Sequence, residues 1–175
     1  VAWTAAPTTS DPPVPPAAVD DACATSMGAA GSVVIPPGTS TSVAPAVANA
    51  LDLVGARSGW YRRCDRLACR AYGYANSGYE SASVHWARML GTGHAHPGDR
   101  CPPLGAFVYW ATGSPDGHIA LVVASDPACD PARIKVVTND ALVTLAQIEQ
   151  GFMNRANYRG WSDPICAGAR QPGTQ

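Results

Sequence analysis

The sequence predicts an α+β fold in which N-terminal helices pack on an antiparallel β-sheet. Three observations carry this. Apolar residues recur at helical spacing between residues 45 and 90. From residue 105 the pattern changes to short β-branched and aromatic runs separated by turn clusters. Helices first and a strand meander afterwards is the order of segregated helix and sheet layers, not of alternating βαβ units.

Residues 1–40 stand outside this pattern. Five of the first 16 residues are proline, and residues 1–20 have no apolar period. Proline fixes φ and cannot feed a helix interior or a central strand, so 1–40 reads as a linker or stalk with little regular structure. Within it, residues 21–43 hold Cys23 and one apolar run at 33–35, closed by Pro36-Pro37-Gly38: loop with room for one strand. The folded domain is expected over 41–175.

Pro45 is placed where a first helical turn tolerates it, and Val47, Ala50, Leu51 and Val54 follow at helical spacing up to Gly55. A second helix is predicted over 62–72, with Cys64, Leu67, Ala68 and Ala71 on one side and Gly73 as its stop. A third is predicted over 80–90, with Val84, Ala87 and Leu90 as the inner stripe, and 91–104 reads as a loop. Strands follow at 105–110, 118–124 and 134–138, then a short helix over 144–151 and an irregular end.

Of the 175 residues 46% are hydrophobic and 14% charged, enough apolar surface for one buried core and too little charge for a disordered polymer. A net charge of −1 gives no electrostatic reason to expect nucleic acid as a partner. No apolar run approaches the ~20 residues of a membrane-spanning helix. Six cysteines point to an oxidising compartment, outside the cell or on its surface, because cytosolic thiols are kept reduced.

Two residues stand out for chemistry. Cys64 falls in the first turn of a predicted helix, where the positive end of the helix dipole favours thiolate, with Arg62, Arg63 and Arg66 nearby. His118 opens a predicted strand directly after Gly117. A thiolate attacks carbonyl carbon, and an imidazole beside it can take the thiol proton and return it to a departing amine. A third polar group usually orients such an imidazole. Asp140, which shares a strand face with Thr138, is chosen for that role, with Asn139 as substitute should a bulge change the register. Trp60 and Tyr61, just before Cys64, are the preferred substrate-groove residues, while Tyr72, Tyr74, Tyr79 and Trp86 read mainly as packing.

With Cys64 a free nucleophile, five cysteines remain. A bridge from Cys64 to Cys69 within one helix would span ~8–9 Å between Cα atoms, beyond the ~7 Å a disulfide accepts. Cys69 with Cys101 and Cys129 with Cys166 are the expected pairs, leaving Cys23 over. His94, His96 and Cys101 offer three zinc-ligand types in one loop, yet without paired Cys-x-x-Cys or helical His spacing they read as a solvated turn. No metal or cofactor is expected.

The segments YRRCDRLACRAYG (61–73), SASVHWARML (81–90), HPGDRCPPLGAFVYW (96–110), GHIALVV (117–123) and VVTND (136–140) occur in that order. Over about residues 45–163 the chain resembles the papain-like cell-wall peptidases and amidases of the NlpC and CHAP families, in their actinobacterial style. The resemblance implies an α+β fold with the nucleophile heading a helix against the sheet that carries the histidine, and hydrolysis of amide bonds in peptidoglycan stem peptides or cross-links. It matches Cys64 to the nucleophile and His118 to the base, and puts Asp140 in the region of the third polar member. Many members of the first family carry Asp before the nucleophile and Ser-Gly after it. Here Arg63 precedes and Asp65-Arg66 follow, and an insertion at 125–133 separates the second strand from the third. The expected partner is peptidoglycan, with the proline-rich start as a link to a larger cell-envelope assembly and the domain itself a monomer. The rival expectation is a wall-binding or adaptor module of the same fold without turnover; acyl transfer to an amine is a third.

Overall fold

Helical periodicity and cap residues explain where the first half of the chain winds. The computed structural model describes residues 33–55, 64–139, 141–151 and 157–173. Helix α1 (Val43–Asp52) carries Pro45 in its first turn and buries Ala46, Val47 and Ala50. Helix α2 (Cys64–Ala71) buries Cys64, Leu67, Ala68 and Ala71, the predicted face, together with Asp65 and Cys69. It ends where Gly73 takes φ 84°; the Gly73 N–H donates to Arg70 O and the Tyr74 N–H to Cys69 O, which satisfies the last-turn carbonyls. Helix α3 (Ala82–Thr92) is capped by Ser81, whose hydroxyl accepts from the Val84 N–H, and closes on Gly93.

The inner face of α3 differs from the expected stripe. Ala82, His85, Trp86 and Met89 are buried, whereas Val84 and Leu90 are exposed and Ala87 lies on the same outer side. The helix is rotated because a polar residue, His85, belongs to the core once both its ring nitrogens are satisfied.

The second half is a single antiparallel sheet of six strands: β1 (Ala95–Pro97), β2 (Phe107–Trp110), β3 (His118–Ala124), β4 (Lys135–Thr138), β5 (Ala141–Thr144) and β6 (Tyr158–Ser162), in the order β1-β6-β2-β3-β4-β5. A short helix, α4 (Leu145–Gln150), follows β5 and starts on a Thr144–Gln147 capping box. The expected strands and short helix are present; β1 and β6 are additional, within stretches expected to be loop or irregular, and β5 fills the gap between the third expected strand and the short helix. The run at 33–35 is not a strand, but Val33 and Ile35 pack on the helical core, so packing reaches back before residue 41.

Both faces of the central strands are covered, which is why β3 reads as an unbroken apolar run and not as an alternation. On one face Phe107, Tyr109, Ile119, Leu121, Val123 and Val137 meet α1, α2 and Trp86 of α3. On the other, Val108, Trp110, Ala120, Val122 and Val136 meet Leu145 and Ile148 of α4. Each fully buried large side chain contributes about 1.5–3 kcal/mol.

Two disulfides staple these layers, and neither has the expected partners. Cys69 of α2 is bonded to Cys166 beyond β6, and Cys101 to Cys129 in the 125–133 insertion. Cysteine spacing does not encode connectivity; the fold decides it by bringing Cα atoms to 5.9 and 4.9 Å. Closing loops of 97 and 28 residues stabilises the folded state by about 4–5 and 3–4 kcal/mol in the chain-entropy model. Two bridges fit an oxidising compartment. Among the described residues no helix is long and apolar enough to cross a membrane.

Candidate active site

Cys64 is the first residue of α2, and α2 lies against β3, so the head of the helix meets the start of the strand. His118 is that start. Gly117 before it has φ 70°, and a Cβ there would sit 2.5 Å from Ser83 Oγ and 3.2 Å from Trp110 O. Only glycine lets the loop pass so close to α3, and the Ser83 N–H, donating to Asp116 O at 2.8 Å, holds it there. Opposite His118 in the β2–β3 ladder stands Trp110, with ring centroids 5.9 Å apart.

The predicted pair is brought together. His118 Nδ1 lies 3.4 Å from Cys64 Sγ, although 54 residues separate them. The other ring nitrogen, Nε2, is hydrogen-bonded to Thr138 Oγ1 at 2.7 Å. Thr138, the last residue of β4, thus offers a hydroxyl that can orient the ring. Asp140 lies outside the described residues, as do Trp60 and Tyr61. Strand alternation puts Thr138 on the face chosen for Asp140.

Asn139 adopts φ 53°, a left-handed conformation that Asn tolerates better than most residues, and its side-chain Oδ1 faces Cys64 Sγ at 3.1 Å. The sulfur thus sits between an imidazole and an amide. All four groups are buried: Cys64, His118, Thr138 and Asn139 are 8%, 1%, 4% and 5% exposed. Burial lowers the pKa of His118 from 6.5 to about 4, so the ring is neutral at pH 7 and able to accept a proton.

Cys64 is not a free thiol. Its sulfur is in a disulfide whose other half lies outside the described residues, and among those residues no cysteine is free. This corrects the expected open nucleophile: an even number of cysteines permits complete pairing. In the oxidised state the sulfur holds no proton to give and no thiolate to attack with.

The remaining candidates resolve into structure. Arg66 Nε donates to Ala75 O at 3.2 Å. Tyr72 stands edge-on to Phe107 and donates to Gly105 O, Tyr74 lies under Arg170, Tyr79 stacks on His85, and Trp86 packs on Tyr109. Cys101 is committed to Cys129, so the His94, His96, Cys101 trio cannot hold zinc; His94 instead meets Asp163 at 3.0 Å and His96 stacks on Trp161. Ligand atoms of Asp65, Cys69 and His85 lie within 4.8 Å of one another, but the Cys69 sulfur is bonded to Cys166 and both His85 nitrogens are taken.

The α+β fold and the site are read from this geometry alone, because no family model, curated protein or solved structure matches the chain.

Proposed function

We propose that this protein, in its reduced state, is a thiol hydrolase of amide bonds, acting outside the cell or at its surface on peptidoglycan stem peptides or cross-links. The observation that carries the chemistry is the line Cys64 Sγ, His118 Nδ1, His118 Nε2, Thr138 Oγ1, assembled from α2, β3 and β4. The choice of peptidoglycan rests on the resemblance of the five sequence segments.

With Cys64 as a thiol, its proton passes to the neutral His118, and the thiolate attacks the carbonyl carbon. N–H groups of the first turn of α2, which helix geometry leaves without intrahelical partners, face the developing oxyanion. His118 returns the proton to the leaving amine, the C–N bond breaks, and a thioester remains on Cys64. Water, deprotonated by the same ring, then releases the acid. Thr138 keeps the ring turned toward the sulfur throughout; its hydroxyl both donates and accepts, so it stays bonded as the ring changes protonation.

The test is release of new amines from purified peptidoglycan by the reduced protein. Cys64→Ala and His118→Ala are expected to abolish release while the fold stays intact; unchanged release by either contradicts the mechanism. One observation favours a second role, a wall-binding or adaptor module: the sulfur is buried and bridged. Peptidoglycan binding by the reduced protein without amine release would establish that role instead.

A further inference from the structure

We propose that His94, His96 and Asp163 form a binding site for a divalent transition-metal ion, zinc in the first instance, on the edge of the sheet. The sequence sets two histidines at i and i+2, but their candidate third partner, Cys101, is bonded to Cys129. The fold supplies a different third ligand. Strand β1 pairs with β6 through Ala95–Ser162 and His96–Trp161, and one step beyond the ladder the Asp163 N–H donates to His94 O. Side chains two apart on a strand share a face, and cross-strand neighbours share it too. This register therefore puts His94, His96 and Asp163 on one side of the β1–β6 ribbon.

Both rings converge on the one carboxylate. His94 Nδ1 lies 3.0 Å from Asp163 Oδ2, and His96 Nε2 lies 3.8 Å from Asp163 Oδ1. An exposed ion pair accounts for one imidazole beside Asp163; it gives no reason for a second, outside hydrogen-bond reach. Two imidazoles and a carboxylate are a donor set of open zinc sites, which water completes. The His96 ring lies flat on Trp161, centroids 3.6 Å apart, which narrows the directions its nitrogens take. Strand β1 is an edge, and the side chains of His94, His96 and Asp163 are 43%, 41% and 48% exposed, so an ion reaches them without opening the core.

Binding asks for a small rearrangement. Among the described residues the one group whose ligand atoms already lie within 4.8 Å of one another is Asp65, Cys69 and His85, and its atoms are spent on a disulfide and hydrogen bonds. At the sheet edge the carboxylate stands between the two rings, so His94 and His96 turn inward to reach the ~2.0–2.1 Å of a Zn–N bond. Exposed side chains turn at little cost, and among the described residues neither ring has a hydrogen bond to anything but Asp163. The ion would tie β1, a strand of three residues, to the chain that follows β6. The site shares no residue with Cys64 and His118, so it stands apart from the thiol-hydrolase proposal.

The experiment uses the full chain with its disulfides intact, because reduction would release thiols that bind zinc themselves. Calorimetric titration with zinc chloride is expected to saturate at one ion per chain. His94→Ala, His96→Ala and Asp163→Asn should each weaken binding by about tenfold or more, the least that losing a ligand costs. Wild-type binding no tighter than that of His94→Ala or His96→Ala overturns the site, and unchanged affinity in Asp163→Asn overturns the third ligand. A second measurement needs no variant. The chain has four histidines, 85, 94, 96 and 118, whose ring protons can be followed by NMR. Substoichiometric copper(II), which takes imidazole sites more tightly than zinc does, is expected to broaden the signals of His94 and His96. The buried rings of His85 and His118 should stay sharp. Broadening that spares His94 or His96 overturns the proposal.

Discussion

Two histidines are buried to the same degree beside the first turn of α2, and their surroundings differ in one respect that decides what each can do. His85 Nδ1 meets Asp65 Oδ1 at 2.6 Å and Nε2 meets Ile165 O at 2.7 Å, with Tyr79 stacked on the ring at 4.2 Å. A carbonyl only accepts, so Nε2 donates, and the carboxylate holds the other side; neither nitrogen is available to a reacting group. The ring bolts α3 to the head of α2 and to the chain after β6. His118 has a hydroxyl at Nε2 and a sulfur at Nδ1. Its neighbours tolerate either protonation state, so a proton can come and go. Burial makes a histidine costly in both places; the partner's chemistry makes one a rivet and leaves the other able to act as the base of the proposed mechanism.

The largest expected contrast is in activity. His118→Gln should lower amine release by the reduced protein by a factor on the order of 10⁴–10⁶, the loss seen when one member of a catalytic unit is removed. His85→Gln should keep most of the activity of whatever fraction folds. Equal losses in both, measured per folded molecule by circular dichroism, would erase the distinction.

Stability should show the reverse order. His85→Ala leaves the buried Asp65 carboxylate, one of whose oxygens already has no hydrogen-bond partner, without its counterpart. Breaking such a pair costs about 3–5 kcal/mol, readable as a lower urea midpoint at pH 7. His118→Ala, which removes a neutral ring and its hydrogen bond to Thr138, should cost less than His85→Ala. A smaller loss for His85→Ala would mean that Asp65 finds another partner.

The pH dependence of folding sharpens the same comparison. His118 has a folded pKa of about 4 against 6.5 when exposed, so between these values the unfolded chain binds a proton that the folded chain refuses. Its contribution is therefore full above pH 6.5 and declines as the pH falls to 4, by about 3 kcal/mol in total. Urea denaturation at pH 7 and pH 4 should show this loss in the wild type and not in His118→Gln. The same slope in both proteins would place its origin elsewhere.

How much of this was legible follows the range of the forces involved. Strand β3 could be read residue for residue because burial on both faces leaves an apolar run with a glycine before it. Cys64 and His118 could be paired because each carries its own local signal, a helix start and a strand start. The phase of α3 could not, since counting His85 as core requires knowing that Asp65, 20 residues back, supplies its partner. Strand β6 was equally hidden. Gly160 weakens the strand pattern, and its reason is tertiary: a Cβ there would strike the backbone of His96 and Pro97 in β1. Proline in β1 reads as a breaker and is tolerated because β1 is an edge strand. Thr138 was passed over because a carboxylate holds an imidazolium more strongly than a hydroxyl does, and sequence spacing does not show that the hydroxyl reaches His118 Nε2.

The smallest expected effect is the most specific to the site. Thr138→Val keeps the shape of the side chain and removes the hydroxyl that holds His118 Nε2. One neutral hydrogen bond is worth about 1 kcal/mol of stability, so folding should change little. The ring, however, loses the contact that turns Nδ1 toward the sulfur, and kcat of the reduced protein should fall about tenfold to a hundredfold with KM nearly unchanged. Thr138→Ser restores the hydroxyl and should recover most of the rate. A merely structural threonine would instead lower stability in both variants and leave kcat per folded molecule untouched. Recovery by serine but not by valine marks the hydroxyl, and not the packing, as what separates the environment of His118 from that of His85.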